Sequence, residues 1–394
     1  MRVLTVGNMY PPHHLGGYEL VWRSLTGHLR AGGHEVTVLT TDHRRDGVTE
    51  DEPAWVHRDL RWWWRDHAFP RFGPRARLRR ERHNAAVLAE RIEAHRPDVV
   101  VWTAMGGMSL SLIEQVRRRG LPAVGLVHDD WLLYGPRVDA WLRMWGGPRG
   151  TVGERWTGIP VRVDFAGAAR WLFVSEFLRR KALEGAALDG ARTAVVHSGI
   201  DDTLLGALAP PRPWAGKLLS VGRIDARKGL DTAIRALALL PDARLRVVGE
   251  GDDRTLKALR ELAAELGVAG RVTFAGFQEG AELAATYAAA DAVLFPVIWD
   301  EPWGLVPLEA MAQGAPVIAT GRGGSAEYLA DGDNALLHAA GDHQGLAAAV
   351  GRLAADAALR ERLRQAGART AAAHTASAAN ARFEEAIAAE AAGA

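Results

Sequence analysis

Cysteine is absent from this 394-residue chain, which excludes disulfide bonds and thiolate metal sites. No uninterrupted apolar run approaches the roughly 20 residues of a membrane-spanning helix, and the first residues enter a strand pattern without a signal-peptide layout. The formal net charge is only +1, with 24% charged and 48% hydrophobic residues. This composition is typical of soluble globular proteins, so we expect a cytoplasmic protein without a transmembrane segment.

The length exceeds that of one ordinary hydrophobic core, so two domains of similar size are expected. Residues 1–200 hold 29 Lys and Arg against 22 Asp and Glu, whereas the remainder holds 19 against 25. A basic first half would suit an acidic acceptor or an anionic surface, although a general preference for Arg would give the same excess. The Arg residues are dispersed and accompany no nucleic-acid-binding module, so nucleic acid is not an expected partner.

Short apolar segments alternate with amphipathic segments of helical spacing, a pattern typical of a parallel sheet covered by helices. The strand at residues 2–6 leads into a Gly-rich loop and a helix, as at the start of a doubly wound sheet. Other predicted strands lie at residues 36–39, 99–102, 123–127, 169–174, 193–196, 217–221, 244–248, 272–275, 292–295 and 316–319. Predicted helices lie at residues 18–30, 82–95, 109–119, 230–240, 252–266, 282–290, 308–313, 359–366 and 378–389.

A stretch rich in Pro and Gly interrupts this alternation and reads as a linker. We predict an N-terminal domain at residues 1–203, the linker at 204–216 and a C-terminal domain at 217–375. The remaining residues, 376–394, form an Ala-rich helix that could return to the N-terminal domain. Its end is expected to be exposed and weakly ordered.

Two carboxylates flank a predicted helix start in the segment EPWGLVPLEA, residues 301–310. Glu301 falls in the loop after a buried strand, and Glu309 falls in the helix that follows. A helix N-terminus after a strand binds anions through its free backbone N–H groups, here those of Gly304, Leu305 and Val306. Carboxylates beside a phosphate suit the hydroxyls of a sugar and a ribose. The segment therefore suggests a sugar nucleotide, although the spacing alone would also fit solvated glutamates.

Cations and glycines follow the other predicted strands of the second half. Arg223 and Lys228 come after the first of them, Gly249 after the second, and Gly276 with Phe277 after the third. Because the carboxyl ends of parallel strands share one edge, these groups are expected at one ligand-binding edge. Singly, the two cations could be surface charges and Gly249 a plain turn.

Taken together, these segments resemble the retaining glycosyltransferases of family GT4. The matching segments are SVGRIDARKG (220–229), VVGEGDD (247–253), VTFAGF (272–277), EPWGLVPLEAMAQGAPVIAT (301–320) and GGSAEYLADGDNALL (323–337), with MRVLTVGNMYPPHHLGGYE (1–19), VHDD (127–130) and VSEFLR (174–179) in the first half. The resemblance implies an α/β protein of the GT-B fold, in which two doubly wound Rossmann-like domains face each other across a cleft.

The resemblance also implies a role for each matching residue. Arg223 and Lys228 would hold the donor diphosphate, Glu301 would touch the donor sugar, and Glu309 would bind the ribose. His128 would be the active-site histidine near the sugar, although a half-buried structural histidine would also fit its strand-end position. The other donor-binding residues implied are Gly16 and Gly17 at the phosphate and sugar, Gly249, Gly276 and Phe277 around the nucleotide, and Gly304, Leu305 and Val306 as backbone donors.

The implied reaction moves a sugar from a nucleotide-diphosphate sugar, with UDP as the expected nucleotide, to a hydroxyl of a small-molecule or glycan acceptor. Configuration would be retained, the leaving phosphate would act as base, and neither a metal nor a cofactor would be needed. Two other enzymes remain open: a sugar-nucleotide epimerase or hydrolase, and a mannosyl- or glucosyltransferase that uses a lipid-linked acceptor at a membrane surface. A nucleotide-binding module without activity is the non-enzymatic alternative, and the oligomeric state is left open.

Aromatic residues are concentrated in the first half. They could stack on an acceptor, hold an apolar aglycone or rest in a membrane interface beside Arg, or they could pack a flap of the domain. Peripheral contact with a membrane is thus left open. The residues concerned are the segment RWWWRDHAFPRF at 61–72 and Trp131, Tyr134, Trp141, Trp145 and Trp156.

Overall fold

A computed structural model describes residues 1–14, 16–48, 52–64, 69–147 and 150–393. The chain divides into two compact units, one formed by Met1–His197 with Ala379–Ala394 and the other by Ser198–Ala378. The strands are β1 Arg2–Val6, β2 Glu35–Thr41, β3 Val56–Leu60, β4 Val99–Trp102, β5 Ala123–Val127, β6 Arg170–Phe173, β7 Thr193–Val195, β8 Lys217–Val221, β9 Arg244–Val248, β10 Val272–Phe274, β11 Ala292–Phe295, β12 Val317–Ala319 and β13 Ala335–Leu337. The helices are α1 Gly17–Ala31, α2 Pro74–His95, α3 Ser111–Arg118, α4 Trp131–Val138, α5 Ala140–Met144, α6 Gly150–Thr157, α7 Phe165–Ala168, α8 Glu176–Gly185, α9 Leu230–Ala238, α10 Asp253–Glu265, α11 Gly280–Ala289, α12 Leu305–Ala312, α13 His343–Ala355, α14 Ala357–Ala372 and α15 Ala376–Ala392.

The first unit contains one parallel sheet of strand order β3-β2-β1-β4-β5-β6-β7. The strands β4 and β5 are buried along their whole length, as expected for a parallel sheet covered on both faces. The strand order reverses between β1 and β4, which makes this the topological switch point where open α/β sheets bind ligands.

The second unit contains a parallel sheet of order β10-β9-β8-β11-β12-β13. Its switch point lies between β8 and β11. The loops after β8 and β11 hold Lys228 and Glu301, so the sheet topology alone directs these two residues to the same point of its carboxyl edge. The α/β class with two Rossmann-like units, predicted from the alternating pattern, is confirmed.

The C-terminal helix α15 packs within the first unit. Phe383 and Ile387, four residues apart on one face, are fully buried in a core cluster that includes Val3 and Val99. The carboxylate of Glu384 on the same helix accepts hydrogen bonds from His28 and His34 at 2.8 and 2.7 Å. The expectation of an exposed, weakly ordered end does not account for this apolar face, because Phe383 and Ile387 are the only large apolar residues in an Ala-rich helix.

Most of the aromatic side chains are part of the core and not of the surface. Trp131 and Trp141 are fully buried, and Trp63 and Trp141 form a cluster with Ile159 and Val161. For the buried tryptophans the structure thus supports the alternative in which they pack within the domain, since α2, α5 and the loop before α7 enclose Trp63 and Trp141. Trp156 and Phe69 are exposed, with 68% and 44% of their surface accessible, and Tyr134 and Trp145 are half-buried. Residues 65–68 of the aromatic segment lie outside the described residues.

Within the described ranges, no helix is long and apolar enough to cross a membrane.

Candidate active site

Backbone hydrogen bonds connect the loops at the carboxyl edge of the second sheet. The Gly249 N–H donates to the Gly276 carbonyl at 2.7 Å, and the Ile224 N–H donates to the Glu250 carbonyl at 2.7 Å. Gly249 has a φ of 138°, and a Cβ there would overlap the carbonyl oxygen of Gly222. Only glycine allows this approach, which brings the ends of β8, β9 and β10 together.

Arg223 lies in the loop after β8, between Gly222 and Ile224, whose N–H groups donate to the carbonyls of Val248 and Glu250. Its side chain is exposed and makes no hydrogen bond or ion pair with any residue that the structure describes. Phe277, at the end of β10, is 48% exposed. The edge therefore presents an available guanidinium and an aromatic face, groups that suit a phosphate and a base.

Lys228 and Glu301 form an ion pair at the switch point, with 2.7 Å between Nζ and Oε2. The two side chains are 21% and 13% exposed. Gly229 follows in the left-handed conformation, with φ 64°, and approaches the carbonyl of Pro296 so closely that a Cβ would overlap it. This contact seats the loop after β8 on the loop after β11. The Trp299 Nε1–H also donates to Glu301 Oε2, at 2.9 Å.

The N-terminus of α12 follows Glu301 by a few residues in the sequence. Gly304 is the N-cap residue, with φ 87°, and its carbonyl accepts a 2.5 Å hydrogen bond from the Tyr328 hydroxyl. The N–H groups of Leu305 and Val306 belong to the first turn and have no intrahelical acceptor. They carry the positive end of the helix dipole, so the arrangement can bind an anion next to Glu301.

Glu309 lies one turn further along α12. Its Oε2 accepts a 2.7 Å hydrogen bond from the hydroxyl of Tyr287, a buried residue of α11. Burial raises the pKa of the Glu309 carboxyl, against the opposing effect of that hydrogen bond. The contact fixes one carboxylate oxygen and therefore the direction of the other.

His128 follows β5 at the carboxyl edge of the first sheet. Its ring lies 4.5 Å from the Tyr18 ring and 6.1 Å from the Phe383 ring, between centroids. Burial lowers the pKa of His128 to about 3. The imidazole is therefore neutral at physiological pH, and it can exchange hydrogen bonds with a neutral hydroxyl but cannot supply a fixed positive charge.

Gly16 and Gly17 lie at the start of α1, directly before Tyr18, whose ring contacts the same histidine. The Gly16 N–H donates to Glu19 Oε2 at 2.9 Å, which satisfies a donor at the helix start. Tyr18, the next residue, contacts His128 and donates its hydroxyl to the Leu126 carbonyl. Within the first unit, the predicted His128 is thus joined to the residue that follows Gly17.

Asp129, next to His128, is a second perturbed group. It accepts hydrogen bonds from the Trp131 N–H at 3.1 Å and the Tyr134 hydroxyl at 3.2 Å. Burial raises its pKa to about 7. Its neighbour Asp130 pairs with Lys181 at 2.7 Å, so the two adjacent carboxylates have different environments.

The structure joins some predicted residues directly and leaves others apart. Lys228 contacts Glu301, and Gly249 contacts Gly276, whereas no side-chain contact among the described residues joins Arg223 or Glu309 to the ion pair. Sequence reasoning missed three residues that orient the carboxylates and the helix start, because two are tyrosines on distant elements and the third, a tryptophan in the loop after β11, belongs to no predicted pattern. The missed residues are Trp299, Tyr287 and Tyr328.

Over the same described ranges, no group of three or more His, Asp or Glu side chains is placed to hold a metal ion. The expectation that no metal is needed stays a prediction.

Two Rossmann-like units, each built on a parallel sheet with a topological switch point, define a doubly wound α/β protein. Residues 15–204 match the model of Glycosyltransferase Family 4, and residues 215–370 match that of Glycosyl transferases group 1. The chain therefore belongs to the glycosyltransferases that carry these two domains, and the predicted family is confirmed.

Similarity to individual proteins is strong over part of the chain. The lipopolysaccharide core biosynthesis glycosyltransferase LpsE of Rhizobium meliloti is 41% identical over 150 residues, which is 38% of this chain and 43% of that protein. A D-inositol 3-phosphate glycosyltransferase of Mycobacteroides abscessus is 38% identical over 176 residues, covering 42% and 40%. The matches thus span about two fifths of the length of these curated relatives.

Solved structures resemble nearly the whole chain. The sucrose-phosphate synthase from Thermosynechococcus elongatus has a TM-score of 0.74 at 21% identity and covers 98% of both chains. Anabaena HepE in complex with UDP-glucose has a TM-score of 0.70 at 20% identity and covers 98% of this chain and 99% of its own. At these identities the likeness establishes the fold, which is GT-B, as predicted.

Proposed function

We propose that the protein is a retaining glycosyltransferase that moves a sugar from a nucleotide-diphosphate sugar to a hydroxyl of an acceptor. The observation that carries the proposal is the Lys228–Glu301 pair at the switch point of the second sheet. It lies beside the N-terminus of α12, so a cation, backbone donors and a carboxylate occur together. These three kinds of group suit a donor that carries a diphosphate next to a polyhydroxylated ring.

The donor phosphates would be held by Arg223, Lys228 and the first N–H groups of α12. An Arg fork, a Lys point charge and a helix N-terminus all bind phosphate oxygens. They would stabilise the charge that grows on the leaving diphosphate, and this set makes a metal ion unnecessary. UDP is the proposed nucleotide because HepE was solved with UDP and with UDP-glucose. ADP is the comparison to make, since a starch synthase IV domain was solved with it.

In the proposed reaction the acceptor oxygen attacks the anomeric carbon from the face that the diphosphate leaves. The bond from that carbon to the diphosphate oxygen breaks, and the acceptor proton passes to the departing phosphate. Glu301 would accept a hydrogen bond from a sugar hydroxyl, and Glu309 would bind the ribose. The neutral His128 imidazole is proposed as a hydrogen-bonding group toward the sugar.

A hydrolytic glycosidase would use its two carboxylates as acid and base on opposite sides of a glycosidic bond. Here Glu309 is bound by Tyr287 and Glu301 by Lys228 and Trp299, an arrangement that favours two binding carboxylates. An epimerase or hydrolase on the same fold would consume the sugar nucleotide without an acceptor. The names of the relatives, which refer to a lipopolysaccharide core and an inositol phosphate, support a polar, hydroxyl-bearing acceptor.

The first experiment is a thermal-shift panel of UDP, ADP and GDP with their glucose conjugates, because a ligand that binds only the native state raises the melting temperature. The second measures nucleotide release with and without candidate acceptors, together with the anomeric configuration of the product. Acceptor-dependent release with retention supports the proposal. Equal release without any acceptor would favour the hydrolase, and inversion would exclude the proposed mechanism.

A further inference from the structure

Both hydrogen-bond donors to Glu301 reach the same carboxylate oxygen. Lys228 Nζ lies 2.7 Å and Trp299 Nε1 2.9 Å from Oε2. Over the described part of the chain, Oε1 of Glu301 accepts no hydrogen bond. The carboxylate is therefore oriented through one oxygen, and the other oxygen is left to accept a hydrogen bond from a ligand.

The indole of Trp299 is itself fixed from the loop after β8. The guanidinium of Arg227 lies 4.6 Å from the centre of the Trp299 ring, a cation–π contact. Arg227 donates two hydrogen bonds to the Asp225 carboxylate, at 3.2 and 2.8 Å. Its carbonyl accepts the Ile298 N–H at 2.9 Å. Rotation of the Trp299 indole would therefore break its cation–π contact with Arg227.

We propose that Trp299 is a positioning residue, which holds the Glu301 carboxylate so that Oε1 meets a hydroxyl of the donor sugar. The inference rests on the proposed function and adds to it the residue that sets this contact. The two donors to Oε2 differ in kind, because Lys228 has a flexible stem and a charge that a phosphate can attract. The N–H of Trp299 is neutral, so a phosphate does not draw it away from Glu301. It therefore keeps the Glu301 carboxylate in place when Lys228 turns to the diphosphate.

The test compares UDP with UDP-glucose, since only the conjugate carries the sugar that Oε1 would touch. Trp299→Phe keeps an aromatic ring under Arg227 and removes the N–H. Loss of one hydrogen bond to a charged group is expected to weaken UDP-glucose binding roughly tenfold while leaving UDP binding unchanged. In turnover the same variant should lower kcat more than it raises KM, because the contact strengthens as charge develops on the sugar.

Two further proteins separate positioning from a general structural effect. Trp214→Phe is the matched control. The Arg360 guanidinium lies 5.8 Å from the centre of the Trp214 ring, and Trp214 lies before the N-terminal end of β8, away from the candidate site. It should leave both affinities at the wild-type value. In a Glu301→Ala background, Trp299→Phe should change the ratio of the two affinities no further, as expected when one residue acts through the other.

Calorimetric titration of UDP and UDP-glucose into these variants decides the matter. A tenfold change in the affinity ratio that vanishes in the Glu301→Ala background supports the inference. An unchanged ratio in Trp299→Phe, or an equal change with and without Glu301, overturns it while the proposed function stands. A wild-type protein that binds neither ligand overturns the proposed UDP-sugar function and the inference together.

Discussion

Lys228 and Glu301, 73 residues apart in the sequence, form an ion pair of 2.7 Å that bridges the switch point of the second sheet. Each comes from a different loop, one after β8 and one after β11. Because both side chains are largely shielded from water, removing one partner leaves a charge that has lost its counter-ion. The ion pair therefore connects the two loops and also places two opposite charges beside the N-terminus of α12.

Glu301→Ala should reduce sugar transfer by at least about a hundredfold, the size typical of a lost transition-state contact. Its affinity for UDP alone should stay the same or rise, because Lys228 is then free to contact phosphate. Steady-state kinetics and calorimetric titration measure the two effects separately. Asp300→Ala is the control, since this neighbouring acid pairs with Arg322 at the surface. A Glu301→Ala protein that transfers sugar at the wild-type rate would exclude the role assigned to this residue.

Gly229→Ala should destabilise the protein more than Gly267→Ala. Both glycines have left-handed backbone, with φ 64° and 69°, but a Cβ at 229 overlaps the Pro296 carbonyl whereas one at 267 meets nothing within 4 Å. The control thus carries only the conformational cost of about 1–2 kcal/mol. Thermal denaturation should give a larger drop in Tm for Gly229→Ala, accompanied by a loss of transfer. Equal Tm values for the two variants would show that the loops are not in contact.

Stability should fall at high pH because of a buried carboxyl pair in the first unit. Glu81 and Asp139 are both fully buried, and Ser111 donates to Glu81 Oε2 at 2.7 Å. Burial, and next the charge of Asp139, raise the pKa of Glu81. The folded state then binds more protons than the unfolded state once the pH exceeds about 4.3, so stability is lost as pH rises through the raised pKa.

Glu81→Gln removes this titration, so its Tm should fall less than that of the wild type between pH 5 and pH 9. Glu90→Gln, on the same helix with a 70% exposed side chain, should follow the wild-type curve throughout. Parallel pH profiles for wild type and Glu81→Gln would contradict the assignment.

His128 gives the opposite pH dependence. Burial lowers its pKa from 6.5 to about 3, so the unfolded state binds a proton that the folded state does not. Stability from this group is present above pH 6.5 and is lost as pH falls toward 3. His128→Gln, which cannot titrate, should therefore lose less Tm between pH 7 and pH 4. An acid-induced loss in the variant as large as in the wild type would refute a buried neutral histidine.

Buried parallel strands were readily predicted because they are short and continuously apolar. The predictions at residues 99–102, 123–127, 217–221, 244–248 and 292–295 coincide with β4, β5, β8, β9 and β11. The start of α12 was placed three residues late, since Pro307 falls inside its first turn. The strand β3 was missed because its sequence, VHRDL, has polar residues at its centre.

The segment between β5 and β6 shows where sequence reasoning ends. It forms four short helices, α4 to α7, and the sequence left open whether their aromatic residues contact an acceptor or pack within the domain. A buried tryptophan and an exposed one have the same local pattern, and only the packing of Trp141 on Ile159 and Val161 decides between them. At the candidate site, cations, glycines and carboxylates could be predicted from strand ends. Their partners, such as Tyr287 for Glu309, depend on tertiary contacts.

The most direct measurement is the calorimetric titration of UDP into the wild-type protein and into Arg223→Ala. The exposed Arg223 guanidinium, at the edge where β8 and β9 end, is assigned to the diphosphate. We expect one UDP bound per chain and an affinity about tenfold weaker in the variant, as for a lost charge-assisted hydrogen bond. No uptake of UDP by the wild type, or equal affinities for the two proteins, would contradict it.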